Sequence, residues 1–206
     1  LDPARYISNE SSGKQGLEVA LALKKLGIKT KLISGPTNFV STEGLKVKKV
    51  ISAKDMMNEV KKSLPVDIAV CAAAVSDYRP VKKNKHKIKK EFSEIKNIKL
   101  EKNPDILEFL SKNNRSRPKI VVGFSAETNA VIENSKKKIL EKHCDLIVAN
   151  DVSNKEFGFN SDYNKVSIIN KKGIVKLIHK NKKSYIANKL ANMILDKLLV
   201  NDKNFN

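Results

Sequence analysis

Four groups of residues have types and spacing that suit chemistry. The first closes an apolar run, IAVCAAAV at residues 68–75, which ends abruptly in Ser76, Asp77, Tyr78, Arg79 and Pro80. In open α/β sheets ligands sit beyond the carboxyl ends of the strands, so a hydroxyl, a carboxylate and a guanidinium delivered there mark a candidate site. The same letters also suit a core strand followed by a polar turn. The second group is Asn9, Ser11, Ser12, Gly13, Lys14 and Gly16, just ahead of a helical pattern. Unpaired N–H groups at the positive end of a helix dipole seat a phosphate. Ser11 or Ser12 serving only as an N-cap is the plain alternative, and the glycine spacing is neither that of a P-loop nor that of the dinucleotide fingerprint. The third is VKKNKHKIKKE at 81–91, by composition an exposed loop. Its place after a strand end also suits a cationic flap that closes over a polyanion and neutralises developing charge. In the fourth, Lys138 and Lys142 lie one helical turn apart, where they complement the helix dipole or hold a phosphate chain.

Alternating elements must position these groups. Helical spacing covers residues 17–26, stopped by Gly27, and 53–64, stopped by Pro65, with Met56 and Met57 as core filler. Strands are expected at 30–34 and 47–51, and this alternation predicts parallel βαβ units. The run at 68–75 is long and apolar enough for a parallel strand covered on both faces. Asn103 as cap with Pro104 at the first helical position opens a helix that turns Ile106, Leu107 and Leu110 inward. A strand at 120–124 leads to Thr128, the expected cap of a helix at 130–142 with Val131, Ile139 and Leu140 as its apolar face. A strand at 145–148 ends in Ala149, Asn150 and Asp151, so three strand ends can converge on one crevice. Residues 157–160 read as a loop. Strands at 166–169 and 174–178 form a hairpin across Lys171, Lys172 and Gly173, and a helix at 185–199 finishes the chain. The fold class is α/β, a mostly parallel sheet flanked by helices with a C-terminal hairpin and helix.

Composition narrows the function classes. With 206 residues, 40% of them hydrophobic, and no repeat or linker, a single domain over 1–206 is expected. No window approaches the roughly 18 apolar residues of a membrane span, and LDPARYISN lacks a signal-peptide core, so a cytoplasmic protein without membrane partners is expected. Cys71 and Cys144 read as small core residues of a reducing compartment. The net charge of +19 invites a nucleic-acid partner. However, Arg5, Arg79, Arg115 and Arg117 are the only arginines, and base-edge and bidentate phosphate readers favour arginine. Lysine spread over most polar segments marks a solvated surface, with no nucleic acid bound as the main function.

ISNESSGKQG, AAAVSDYRP, the HKIKK run, KNPDIL, GFSAET, DLIVANDV and GFNSD together resemble, in this order and approximate spacing, the synthetase domain of bacterial bifunctional coenzyme A biosynthesis proteins, phosphopantothenoylcysteine synthetase. The resemblance covers nearly the whole chain. It implies a Rossmann-like homodimer that ligates 4′-phosphopantothenate to L-cysteine through an acyl-cytidylate, with CTP as co-substrate and Mg²⁺ bridging phosphates. By the same resemblance Asn9 contacts the activated acyl group and Lys87 is the working lysine of a flap at about 80–91, ahead of Lys89 and Lys90. Cys71, Ala72, Ala73 and Asp77 form the nucleotide-binding strand end. Pro104, Asp105, Ile106 and Leu107 border the nucleotide, Phe124 meets its base, and Lys138 and Lys142 its triphosphate. Arg5, Ser11, Ser12 and Ala74 fall on the phosphopantothenate side.

One departure accompanies the resemblance. The family opens with a strand and a glycine-proline-threonine loop ahead of the part matched by Leu1, Asp2 and Pro3. The first, central strand is therefore expected to be missing from this chain, leaving exposed sheet edges and a hole beside Asn9. The decarboxylase half of the bifunctional proteins would lie upstream, and no flavin chemistry is expected of this chain. An NAD-type oxidoreductase shares the fold class but lacks its G-x-G-x-x-G motif here. It is nevertheless one of three rival functions, beside a lysine-rich nucleic-acid-binding module and a purely structural, dimer-forming remnant.

Overall fold

The sequence alternates strands that are apolar on both faces with helices that are apolar on one, and the chain folds into layers accordingly. The structure is a computed structural model that describes all residues except 38, 40, 90–96, 113–114, 154–160 and 204–206. In chain order it runs α1 (Lys14–Lys25), β1 (Lys31–Ser34), β2 (Lys46–Lys49), α2 (Ala53–Ser63), β3 (Ile68–Cys71), β4 (Tyr78–Pro80) and β5 (Leu100–Lys102). Then come α3 (Ile106–Lys112), β6 (Ile120–Glu127), α4 (Val131–Lys142), β7 (Leu146–Asp151), β8 (Tyr163–Asn170), β9 (Gly173–Lys182) and α5 (Lys183–Lys203).

The main sheet has five strands in the order β3-β6-β7-β8-β9. β3, β6 and β7 are parallel, and β8 and β9 are antiparallel additions. Along β6 the side chains alternate as strand geometry requires. Ile120 and Val122 join the core under α1 and α5, while Val121 joins the core under α2, α3 and α4. β7 divides in the same way, Leu146 and Val148 to the first side and Ile147 and Ala149 to the second. The terminal helix contributes Ile186, Leu190 and Ile194, all fully buried.

Several expectations change. β3 is only four residues long and lies at the edge of the main sheet. Its residues are half-buried although both cores reach it, because among the described residues no further strand covers its outer side. β1 and β2 form a separate parallel pair, and among the described residues no ladder joins them to β3. β4 and β5 form a short antiparallel ribbon that the sequence pattern did not announce.

The caps differ as well. α1 starts from Gly13 in the left-handed region at φ 72°, with no side-chain cap. A Cβ on Gly13 would stand 2.7 Å from the Thr37 methyl, so this turn needs glycine twice over. Asp105, not Asn103, caps α3, its Oδ1 accepting the Glu108 N–H at 2.8 Å. α4 starts from Ala130 rather than Thr128, and Leu140 is 60% exposed instead of core-facing. The hairpin between β8 and β9 is as expected. The Asn170 side chain accepts from the Lys172 and Gly173 amides at 2.8 and 3.1 Å, and Gly173 takes φ 139°.

Truncating Leu190 to alanine is expected to lower unfolding free energy by about 2–5 kcal/mol, while Leu140→Ala stays within about 0.5 kcal/mol. Urea denaturation of both variants measures this, and equal losses would refute the assignment of the two helix faces.

Candidate functional site

The parallel register sets the stage. Cys71, the last residue of β3, pairs with Gly123, so Phe124 and the rest of β6 run on past the end of β3. Residues 72–77 must therefore leave the sheet beside β6, and polar groups from two other segments hold them. Asn9 donates from Nδ2 to the Val75 carbonyl at 3.2 Å. Asn103 donates from its side chain to Ser76 O at 2.8 Å and from its backbone to Asp77 O at 2.7 Å. Arg79 in turn donates to Asn103 Oδ1 at 3.0 Å and to Lys102 O at 2.6 Å, with Nε 2.9 Å from Glu101. Ala73 and Asp77 stay exposed, while Ala72 and Ala74 are half-buried. The first turn of α1 reaches the same place: a Cβ on Gly16 would lie 3.6 Å from that of Ala72.

A second cluster forms on the side of α3 and α4. Lys142 meets Asp105 Oδ2 at 2.7 Å and Glu108 Oε2 at 3.2 Å, and Glu108 also takes Lys112 at 2.7 Å. These contacts lower the Glu108 carboxyl, Lys112 contributing most, and the Asp105 hydrogen bond chiefly raises the Lys142 ammonium. Lys138 donates to the Phe124 carbonyl at 3.4 Å. Leu107 presses on Gly123, where a Cβ would stand 2.7 Å from its Cδ2, and so carries α3 close to the strand end. Ile106 is buried in the core, so it can meet a ligand only through its backbone. Burial pushes the Cys71 thiol up to about 12, which keeps it protonated and unreactive.

Ser11 and Ser12 lie in the turn before α1, their hydroxyls accepting from the Gly13 and Lys14 amides at 3.3 and 3.4 Å. Arg5 is engaged by Asp2 and by the Ile88 carbonyl, beside the exposed Lys87. Lys90 and Glu91 of the expected flap and the 157–160 loop lie outside the described residues.

The structure thus joins Asn9 to the loop containing Ala73, Ala74 and Asp77, and joins that loop to Pro104 and Asp105. Asp105 connects through Lys142 to the helix that carries Lys138, which reaches Phe124. Ser11 and Ser12 approach through the first turn of α1. Arg5 and Lys87 share a separate anchorage. A hollow of 440 Å³ lined by Lys54, Met57, Asn58, Arg79, Lys102, Asn103 and Pro104 touches this set only at Pro104. Sequence reasoning placed the Arg79 guanidinium at the candidate site but missed its pairing with Asn103, on which the site is built. Both stood inside conspicuous segments, SDYRP and KNPDIL, but helix-start rules assigned Asn103 to a cap.

Known proteins share this arrangement of strands and helices. Residues 1–198 match the family described as DNA/pantothenate metabolism flavoprotein C-terminal domain. The coenzyme A biosynthesis bifunctional protein CoaBC of Haemophilus influenzae is 40% identical over 198 residues, 96% of this chain and 48% of that protein. The chain therefore spans about half the length of this curated relative. The crystal structure of the C-terminal domain of a CoaBC protein superposes with a TM-score of 0.76 at 32% identity, over 98% of this chain and 89% of that one. A Cab2 mutant in complex with phosphopantothenate-cysteine has the same fold, with a TM-score of 0.68 at 17% identity over 97% of this chain and 82% of that one.

The charge cluster makes a pH prediction. A lowered carboxyl stabilises the fold above its ordinary range and loses that contribution as pH falls through its folded value. Lys142→Gln is expected to move the Glu108 titration upward, though not fully to the ordinary value because Lys112 remains. Carboxyl-carbon NMR against pH reads it, and an unmoved Glu108 would contradict the pairing.

Proposed function

This chain belongs to the DNA/pantothenate metabolism flavoprotein C-terminal domain family, and from that premise we propose that it is the ligase unit of coenzyme A biosynthesis, joining 4′-phosphopantothenate to L-cysteine at the expense of CTP. The observation that carries the reading is the tie between Asn9 and Val75 O in the loop that follows β3. An amide nitrogen has two hydrogens. One is spent on that carbonyl, which orients the group, and the other remains for an acyl oxygen.

A carboxylate is a poor acyl donor until its oxygen becomes part of a good leaving group. In the proposed reaction a phosphopantothenate carboxylate oxygen attacks the α-phosphorus of CTP. The bond to the β-phosphate oxygen breaks and pyrophosphate leaves, giving the acyl-cytidylate. The cysteine amine then attacks the acyl carbon and loses a proton, and CMP departs with the electrons of the C–O bond. Both transition states are anionic, so positioned cations lower them.

Lys87 is assigned to the intermediate's phosphate. Lys138 and Lys142 are assigned to the triphosphate and Phe124 to the base. Pro104, Asp105, Ile106 and Leu107 border the nucleotide, with Cys71, Ala72, Ala73 and Asp77 at the strand end. Arg5, Ser11, Ser12 and Ala74 are assigned to phosphopantothenate. Lys142 is already neutralised by Asp105 and Glu108, so nucleotide binding must compete with those carboxylates.

Mg²⁺ fits as a passenger on the phosphates, since a hard cation of this kind is commonly held by one or two carboxylates and substrate oxygens. Among the described residues no group of three or more His, Cys, Asp or Glu could hold a metal by itself, and exposed Asp77 at the strand end is the carboxylate suited to share one. When bound, the ion would screen charge between neighbouring phosphates.

A homodimer is proposed from the β4–β5 ribbon. Pro80 pairs with Leu100, and Tyr78 and Leu100 on this ribbon, with Val81 and Ile98 flanking it in sequence, are exposed. Exposed apolar groups concentrated in this way mark an interaction surface. A decarboxylase unit upstream, carrying any flavin chemistry, is proposed from the bifunctional relatives. A cytoplasmic location accords with them, and among the described residues no helix is long and apolar enough to cross a membrane.

Pyrophosphate release is expected to require phosphopantothenate and CTP but not cysteine, and equal rates with ATP would overturn the choice of nucleotide. Lys87→Gln is expected to slow acyl-cytidylate formation by about 10²–10³-fold without altering the melting temperature. Normal turnover by that variant would remove the flap lysine from the mechanism. Asn9→Asp places a carboxylate against the acyl group and the Val75 carbonyl; rapid-quench kinetics should show loss of the intermediate, and unchanged kinetics would refute the assignment.

A further inference from the structure

Asp2 lies outside every role assigned above, yet its environment is among the most specific in the molecule. Its side chain is fully buried, although it is a carboxylate near the start of the chain. Oδ1 accepts from the Ala4 and Arg5 amides, both at 2.9 Å. Oδ2 accepts from Arg5 Nε at 3.0 Å, Arg5 NH2 at 2.5 Å and the Ile88 amide at 3.1 Å. Five donors on one carboxylate, the Arg5 guanidinium foremost, hold it ionised well below the usual carboxylate range. Arg5 completes the grip, because its NH2 also donates to the Ile88 carbonyl at 2.8 Å.

Ile88, more than 80 residues away in sequence, therefore has both backbone polar groups held by one ion pair. In a sheet a neighbouring strand would do this. Here two side chains take that place, in a lysine-dense segment that has no strand partner among the described residues. Four residues earlier, the Asn84 amide donates to Leu1 O at 2.9 Å. The segment from 84 to 88 is pinned at both ends to residues 1–5, and exposed Lys87 stands directly beside the tighter pin.

We infer that Asp2 is a positioning residue: through Arg5 and Ile88 it fixes the base of the flap segment, so that Lys87 works from an anchored stem rather than a free loop. The inference rests on the proposed ligase reading for the role of Lys87, but the clamp itself does not depend on it. A flap anchored beside its working cation loses less conformational freedom when it meets the intermediate. Arg5 is then a member of the clamp first. Any contact it makes with phosphopantothenate must use donors left over from Asp2 and Ile88.

Asp2→Asn tests this. The replacement keeps the volume and one acceptor oxygen but puts an amide where Oδ2 accepted from Ile88. Hydrogen exchange of the Ile88 amide, read by NMR in the protein that carries this chain, is expected to accelerate by at least about tenfold, with amides of β6 and α5 unchanged. Turnover should fall with the KM for CTP unchanged, since the nucleotide contacts lie elsewhere. Unaltered Ile88 exchange in a folded variant would overturn the clamp. Faster exchange with normal kcat would overturn the positioning role. Should Asp2→Asn not fold, Arg5→Lys removes the guanidinium that orients Asp2 and donates to the Ile88 carbonyl, and it is read by the same amide. If the wild-type protein makes no acyl-cytidylate, the ligase reading and with it the positioning role fall, and the exchange result still decides the clamp.

Discussion

Everything in the site depends on three parallel strands held in one register, with β3 ending before β6 and β7. The registers Cys71 with Gly123 and Phe124 with Val148 are enforced from both faces, because Ile120 and Val122 fill one core while Val121 and Ile147 fill the other. A slip of one residue would turn each apolar set to the wrong side. Gly123 adds a steric condition. Its missing side chain lets Leu107 close on β6, which brings the start of α3 to the strand end. Asp105 and Pro104 are delivered there by packing and need no special loop structure.

Charge is arranged differently from its total. The chain carries +19, yet the cations nearest the site are locally compensated: Lys142 by Asp105 and Glu108, Arg79 by Glu101, Arg5 by Asp2. The partly exposed pairs of Lys142 and Arg79 add little stability. Their importance lies in placement, because a paired cation has a defined position before any anion arrives. Arg79 shows this best. It spends its guanidinium on Asn103 Oδ1 and the Lys102 carbonyl, and Asn103 then holds both Ser76 and Asp77. The loop after β3 is built on that relay.

Among the described residues the strands form three separate sheets. β1 and β2 stand apart from β3, and helices join them: Met56 and Met57 of α2 belong to the same core as Ile33 of β1 and Ala69 and Cys71 of β3. Unpaired strand edges are ready templates for a further strand. Asn9 is itself exposed, and its side chain is anchored to a loop carbonyl and not to a strand.

Local chemistry determined much of this molecule. Apolar runs announced β6 and β7, helical spacing announced α1, α2 and α5, Gly173 announced the hairpin, and seven motifs in order announced the family. These signals are legible because each is confined to neighbouring residues or to one period of a helix or strand. Tertiary structure alone decided that β3 is an edge strand, since hydrophobicity does not reveal how many neighbours a strand has. It also moved the cap of α3 from Asn103 to Asp105, because Ser76, Asp77 and Arg79 compete for the asparagine from more than 20 residues away in sequence. The pairing of Asp2 and Arg5 with Ile88 had no signal either: a carboxylate and a guanidinium three residues apart predict only a surface ion pair until the fold brings a backbone to them.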